Sequence, residues 1–297
     1  MTKRKDILAL NIVAYIVILL VTIICLVPFL IILSGSFSSE HSVIASGFSI
    51  FPREFSLQAY QTVFQQPGVI VRSYITTIGI TLVGTAFGLF MTAMTAYVLQ
   101  RKDFEWRNRF SFFFYFTTLF SGGLVPFYIL MIQYLHLKNS YAALILPLCF
   151  SVFNLLLMKS FMSGIPMELT EAARIDGCGD FSIFLKIILP LSKASLATIG
   201  LFMALAYWND WYNPMLYIDD EKMYTLQYFL YQKVSSIEAY KQIISQQGGS
   251  SAANMISMPT QTLKMALTIV VTGPIILAYP IVQKYFVQGI TIGAVKG

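Results

Sequence analysis

The chain has 297 residues, of which 57% are hydrophobic and only 11% charged, with a mean hydropathy of +0.69. A soluble domain carries about 25% charged residues, so a water-facing surface of this size is excluded and lipid is the natural solvent for the excess apolar surface. The net charge of +6 does not point to nucleic acid, because the Lys and Arg lie between apolar runs rather than clustering on a soluble domain.

About six runs are long enough to cross a bilayer, which takes roughly 20 residues each. The first, Leu8 to Leu33, follows Lys3, Arg4 and Lys5 and is too long for a signal-peptide core, so it reads as a retained helix that also directs insertion. The second, Ser73 to Leu99, carries Gly79, Gly84 and Gly88, small residues that let helices approach closely in lipid. The third is Phe110 to Ile132 and the fourth Tyr141 to Phe161. The fifth is Ile187 to Trp208 and the sixth Leu263 to Tyr285. Pro28, Pro126, Pro147, Pro274 and Pro280 fall inside spans and Pro190 near the start of one. Each is either a static kink or a bend lining a pathway, since neighbouring helices can satisfy the freed backbone groups.

The basic residues set the orientation. With the N-terminus in the cytoplasm, that side holds Lys3, Arg4, Lys5, Arg101, Lys102, Arg107, Arg109, Lys159, Arg174, Lys186, Lys284 and Lys296. The opposite side has longer loops but only Arg53, Lys138, Lys222, Lys233 and Lys241. The positive-inside rule therefore places both termini in the cytoplasm, with Trp208 and Trp211 at the outer interface. Two external segments are long, Ser34 to Arg72 and Asn209 to Gln261. A structureless loop of the second one's length usually has a task, here contact with another protein. The domain reading is a first helix with its external segment (1–72), a core of five helices with the cytoplasmic loop 164–190 (73–290) and a cytoplasmic tail (291–297).

No phosphate-binding G-x-x-x-x-G-K-[ST] run is present, so the chain does not hydrolyse ATP by that route. Cys25, Cys149 and Cys178 lack metal spacing, and His41 and His136 stand alone. No nucleophile–base pair stands out. The spans contain no Asp, Glu or His, which counts against an ion-coupled secondary transporter and against a membrane-embedded enzyme.

The informative segment is the cytoplasmic loop 164–190, between the fourth and fifth spans. It reads as two short helices with a glycine break. Pro166 suits a first helical turn, and Glu168 and Glu171 favour the positive end of the helix dipole. Ala172 and Ala173 offer a small face to a partner, and Gly177 and Gly179 permit the turn. The second helix starts near Asp180 and runs through Phe184, Ile187 and Ile188 to Leu189-Pro190.

This run resembles the EAA loop of ABC importer permeases, E-A-A-x-x-D-G followed by F-x-x-I-x-L-P. The matching residues are Glu171, Ala172, Ala173, Asp176, Gly177, Phe184, Ile187, Leu189 and Pro190. Ala194 departs from the pattern where many members have a second proline. Phe120 to Pro126, Ala143 to Pro147 and the stretch from Tyr279 to Gly297 are similar to the carbohydrate-importer (MalG-like) branch, in its LplC/YtcP-like group. The resemblance implies an all-α transmembrane domain of the type I importer class with six helices. Its partners would be a second homologous permease, two ATPase subunits that bind ATP and Mg, an extracytoplasmic solute-binding protein and a sugar or oligosaccharide. Glu171, Ala172, Ala173, Asp176 and Gly177 would couple to the ATPase, with Glu171 paired to a basic residue there. The external stretch after Trp211 would reach the binding protein. Asn154, Tyr207 and Asn209 are candidates for a sugar path, against the plainer reading of hydrogen bonds between helices.

Overall fold

The computed structural model describes residues 2–65, 67–247 and 260–276. In chain order its helices are α1 (Thr2–Ser36), α2 (Glu40–Ser46), α3 (Gln58–Val63), α4 (Pro67–Gln100), α5 (Arg107–Leu119), α6 (Leu124–Ile129), α7 (Tyr141–Ile145), α8 (Val152–Met162), α9 (Met167–Ile175), α10 (Asp180–Ile183), α11 (Leu189–Leu191), α12 (Lys193–Trp208), α13 (Tyr212–Tyr217) and α14 (Leu226–Gln247). They are followed by α15 (Gln261–Ile276). Single π turns extend α6 over Leu130–Tyr134 and join α10 to α11 over Phe184–Ile188. Among the described residues the only extended pairing is one isolated bridge, Ser38 to Phe55.

The fold differs from the sequence expectation in the shape of the spans. Among the described residues only α1 and α4 are single helices long and apolar enough to cross a membrane. The third span breaks at Phe120–Gly123 and bends by 112°. Gly123 there has φ +84°, which a residue with a Cβ disfavours. The fourth bends by 53° after the Leu146–Leu148 turn that holds Pro147, and the Ser151 hydroxyl caps the helix that follows. The fifth bends by 85° at Ser192, directly after Leu189-Pro190-Leu191, so that only Lys193–Trp208 continues straight. Hydropathy averages over such breaks, because the residues at the break are as apolar as the helices. Pro28 lies inside the unbroken α1. Of the expected sixth span the described part is the short apolar helix α15, and the continuation to Tyr285, with Pro280, lies outside the described residues.

One compact unit comprises Met1–Pro67 with Leu230–Pro274. Within it, α1 is exposed along its apolar length, as a lipid-facing helix should be. Phe37 lies between Phe55 and Tyr60, at ring distances of 5.8 and 5.0 Å. The Glu40 carboxylate, on a residue only 5% exposed, caps α15. It accepts from the backbone N–H of Gln261 (2.8 Å) and Thr262 (2.9 Å) and from the hydroxyls of Thr260 (3.0 Å) and Thr262 (2.8 Å). It thereby satisfies donors that a helix start leaves open.

The other unit is Gly68–Phe229 with the chain from Ile275. Its core gathers Ala93, Ala96, Tyr97 and Leu99 of α4, Leu155, Met158 and Met162 of α8, and Ile199 and Met203 of α12. The glycines expected to bring helices together divide by position. A Cβ on Gly84 would fall 2.4 Å from the Tyr207 ring, and one on Gly88 2.4 Å from the Cys149 carbonyl oxygen. Gly79 faces open space. The stretch read as a long external loop is partly helical, with α13 and the 22-residue α14. Its Gly248 to Ser251 part lies outside the described residues.

Candidate coupling site

The coupling segment folds as two helices with a glycine turn. Pro166 is the residue capping α9, one position before the first turn where the sequence placed it. At the other end Gly177 takes φ +79°. Its N–H bonds the Arg174 carbonyl (3.0 Å), and the Cys178 N–H bonds the Ala173 carbonyl (2.9 Å). This is a Schellman motif, and it explains why glycine stands there. Gly179, by contrast, precedes α10 with an ordinary φ of −70°.

Helical geometry sorts the motif residues onto two faces. Glu171, Ala172, Asp176 and Gly177 are exposed, together with Ile175, which is 87% exposed. Ala173 is 7% exposed and packs into the core with Tyr97, Met162, Ile183 and Phe184. The expectation that Ala172 and Ala173 share a partner-facing surface is therefore corrected: successive helical residues lie about 100° apart, and Ala173 faces the chain's own interior. Phe184, from the second half of the motif, is 1% exposed, with its ring 5.5 Å from Tyr97 and 6.1 Å from Phe90.

Charges that the motif does not name hold the site. Arg101, the residue after α4, donates through Nε and Nη2 to both oxygens of Asp103, at 2.9 and 2.5 Å. Its Nη1 lies 2.9 Å from Asp180 Oδ2. Arg174 of α9 donates through Nη2 to Asp103 Oδ2 (2.9 Å) and Asp180 Oδ1 (3.1 Å). Two guanidiniums and two carboxylates thus close a ring. The Arg101 hydrogen bonds hold Asp103 well below the usual carboxylate range and lower Asp180, Arg174 adding to both. The hydrogen bond to Asp103 raises Arg101 and Arg174. Arg174 had been counted only as a basic loop residue and Asp103 not at all. The readable signal was the Arg-x-Asp immediately after a span.

The three candidate path residues separate. Asn154 is buried and lines a cavity of about 390 Å³ at the break of the fourth span, among Pro147, Phe150, Phe153, Phe202 and Ala206. Tyr207 is 1% exposed, fills the space opposite Gly84 and donates its hydroxyl to the Ile145 carbonyl at 2.8 Å. Asn209 is exposed at the end of α12 and donates to the Leu205 carbonyl at 2.9 Å. The packing role thus accounts for Tyr207. Among the described residues no group of three or more His, Cys, Asp or Glu could hold a metal.

Residues 84–292, which include the whole coupling segment, match the family described as binding-protein-dependent transport system inner membrane component. The chain belongs to this family. It is a multi-pass membrane permease, the transport subunit of an ABC importer whose ATPase is a separate subunit. The permease is 39% identical over 279 residues to the polygalacturonan/rhamnogalacturonan transport system permease YtcP of Bacillus subtilis, covering 94% of this chain and 95% of the relative. It is 40% identical to protein LplC of the same organism, over 92% of this chain and 90% of the relative. An arabinooligosaccharide transport permease, AraQ of Halalkalibacterium halodurans, is 27% identical over 93% of each chain. In fold it matches a chain of a bacterial ABC transporter involved in import of the acidic polysaccharide alginate, with a TM-score of 0.79 and 28% identity over 94% of this chain and 96% of the other.

Proposed function

We propose that the permease forms half of the translocation path of an oligosaccharide importer and receives the work of ATP hydrolysis at α9. The observation that carries this reading is the division of the coupling motif. Ala173 and Phe184 anchor the segment in the core, while Glu171, Ala172 and Ile175 are presented outward with no described neighbour covering them. An acidic, partly apolar helix face suits a groove with a basic residue on an ATPase subunit. A second homologous permease, two ATPase subunits and an extracytoplasmic binding protein complete the assembly. The sugar class is supported by the relatives, whose names specify polygalacturonan, rhamnogalacturonan and arabinooligosaccharides. Asn154 is the best-placed path residue, because its amide lines a cavity rather than a packed contact. The path lies in the 73–290 core, and both termini are cytoplasmic.

Glu171→Lys tests the coupling. Reversing the charge puts repulsion where a partly desolvated pair would attract. The variant should insert normally but lose both sugar uptake and co-purification of the ATPase. Normal uptake would refute the role of this loop. Thermal shifts of the cognate binding protein with oligogalacturonates and arabinooligosaccharides identify the sugar.

A further inference from the structure

We propose that Arg101 and Asp103 are positioning residues of the coupling site: with Arg174 and Asp180 they clamp α9 to the cytoplasmic end of α4, so that movement of α9 is passed to the second span. The proposal rests on the coupling role of α9. Its basis is where the ring lies. Arg101 directly follows Gln100, the last residue of α4. Arg174 is in the last turn of α9, and Asp180 is the first residue of α10. One closed set of hydrogen bonds therefore joins three helix ends, and the Asp103–Arg174 contact spans 71 positions of sequence.

Apolar packing alone does not fix the orientation of α9. Its one buried side chain is the methyl group of Ala173, and Ala172 is an equal methyl group one position away. A roll of the helix by about 100° would exchange them and turn Glu171 away from its outward direction. Guanidinium–carboxylate pairs are directional, because a planar fork meets a planar acceptor. Arg101 meets Asp103 in this way, and Arg174 bonds both carboxylates at once through its single Nη2, so a roll would break both contacts. Arg101 is itself held. Its side chain is 18% exposed and its guanidinium carbon lies 5.7 Å from the centre of the Tyr97 ring, on the helix it terminates. The clamp thus connects the partner-facing helix to α4, whose Gly84 and Gly88 lie against Tyr207 and Cys149 deeper in the bundle.

The test uses the full complex with its ATPase subunits in nanodiscs. Amide hydrogen exchange is followed in peptides covering 164–178 and 93–103, with and without Mg-ATP and vanadate. In the unmodified complex nucleotide should change exchange in both. In Asp103→Asn the change at 164–178 should persist and that at 93–103 should be lost, with Asp103→Glu restoring it. Arg174→Gln, which removes the cation that bridges the two carboxylates, should weaken it even if Asp103→Asn fails to assemble. An unaltered response at 93–103 in Asp103→Asn, or none there in the unmodified complex, would overturn the clamp. Loss of the response at 164–178 in Asp103→Asn would place Asp103 in the docking surface and overturn it too. Absence of any response at 164–178 in the unmodified complex would instead strike the coupling reading itself.

Discussion

At the scale of single residues, close approach and charge pairing make separable demands. Gly88 leaves no space for a methyl group, since a Cβ would meet a backbone carbonyl at 2.4 Å and the Met203 methyl at 2.5 Å. A carbonyl cannot swing away as a side-chain tip can. Gly88→Ala should destabilise the isolated permease by about 1–3 kcal/mol, the usual cost of overpacking. Gly79→Ala, on the same helix but facing open space, should stabilise it by about 0.5–1 kcal/mol, because glycine in a helix interior is costly. Thermal unfolding in detergent measures both. The ring carries a second expectation. Asp103 and Asp180 bind protons less readily folded than unfolded, chiefly through Arg101. Their contribution is therefore complete above the ordinary carboxylate pKa of about 4, and it is lost as the pH falls from there through the depressed folded values. The melting-temperature difference between the unmodified permease and Asp103→Asn should be flat from about pH 5.5 to pH 8 and narrow only below about pH 4. A difference that changes near neutrality would mean that another group controls the ring.

At the scale of elements, the coupling helix depends on how it ends. Gly177 sits at φ +79°, where an L side chain costs about 1–2 kcal/mol, while Gly179 sits at an ordinary φ with nothing within 4 Å of its missing Cβ. Gly177→Ala should lower the melting temperature and weaken ATPase co-purification. Gly179→Ala should change stability by less than about 0.5 kcal/mol. Equal effects would mean that the Schellman turn is not what fixes the end of α9. The same two glycines mark how far the sequence could be read. The two helices and the turn between them were legible because caps and glycines act on near neighbours. Which of the two glycines carried the strain was not, because both fit a turn. Ala173 was assigned to the wrong face because two adjacent alanines look alike until the rest of the core is in place. The break in the fourth span was legible as Pro147, whereas that in the third, at Gly122-Gly123, was not read from the sequence. The pairing of Asp103 with Arg101 was legible as a local Arg-x-Asp, two positions apart, but its second partner Arg174 is 71 positions away, a separation that no local pattern spans. Tyr207 looked like a sugar contact because a polar tip on an aromatic ring suits both uses, and only the facing Gly84 reveals the packing one.

At the scale of the whole molecule, the membrane imposes a direction that the helices do not. Orientation follows from counting Lys and Arg near the span ends, not from net charge. The pairing of Arg101 and Arg174 with Asp103 and Asp180 therefore does not remove them from the count, and the basic residues still favour a cytoplasmic N-terminus. Two crossings, α1 and α4, precede the loop at Arg101, and two more precede the segment 164–190 if each bent helix pair is one full span. With a cytoplasmic N-terminus that segment would lie in the cytoplasm after the fourth crossing, where the proposed coupling to an ATPase would need it. The chain carries its own reporter of this arrangement, since Cys178 is exposed beside Gly177. With Cys25→Ser and Cys149→Ser removing the other thiols, Cys178 should resist a membrane-impermeant maleimide in intact cells. It should react in inverted vesicles stripped of ATPase, and adding the ATPase subunits back should slow the reaction, because the thiol lies at the end of the helix they would cover. Labelling in intact cells would reverse the topology and with it the assignment of α9 to the ATPase. Labelling in stripped vesicles that added ATPase leaves unchanged would keep the topology but move the docking surface away from the C-terminal end of α9.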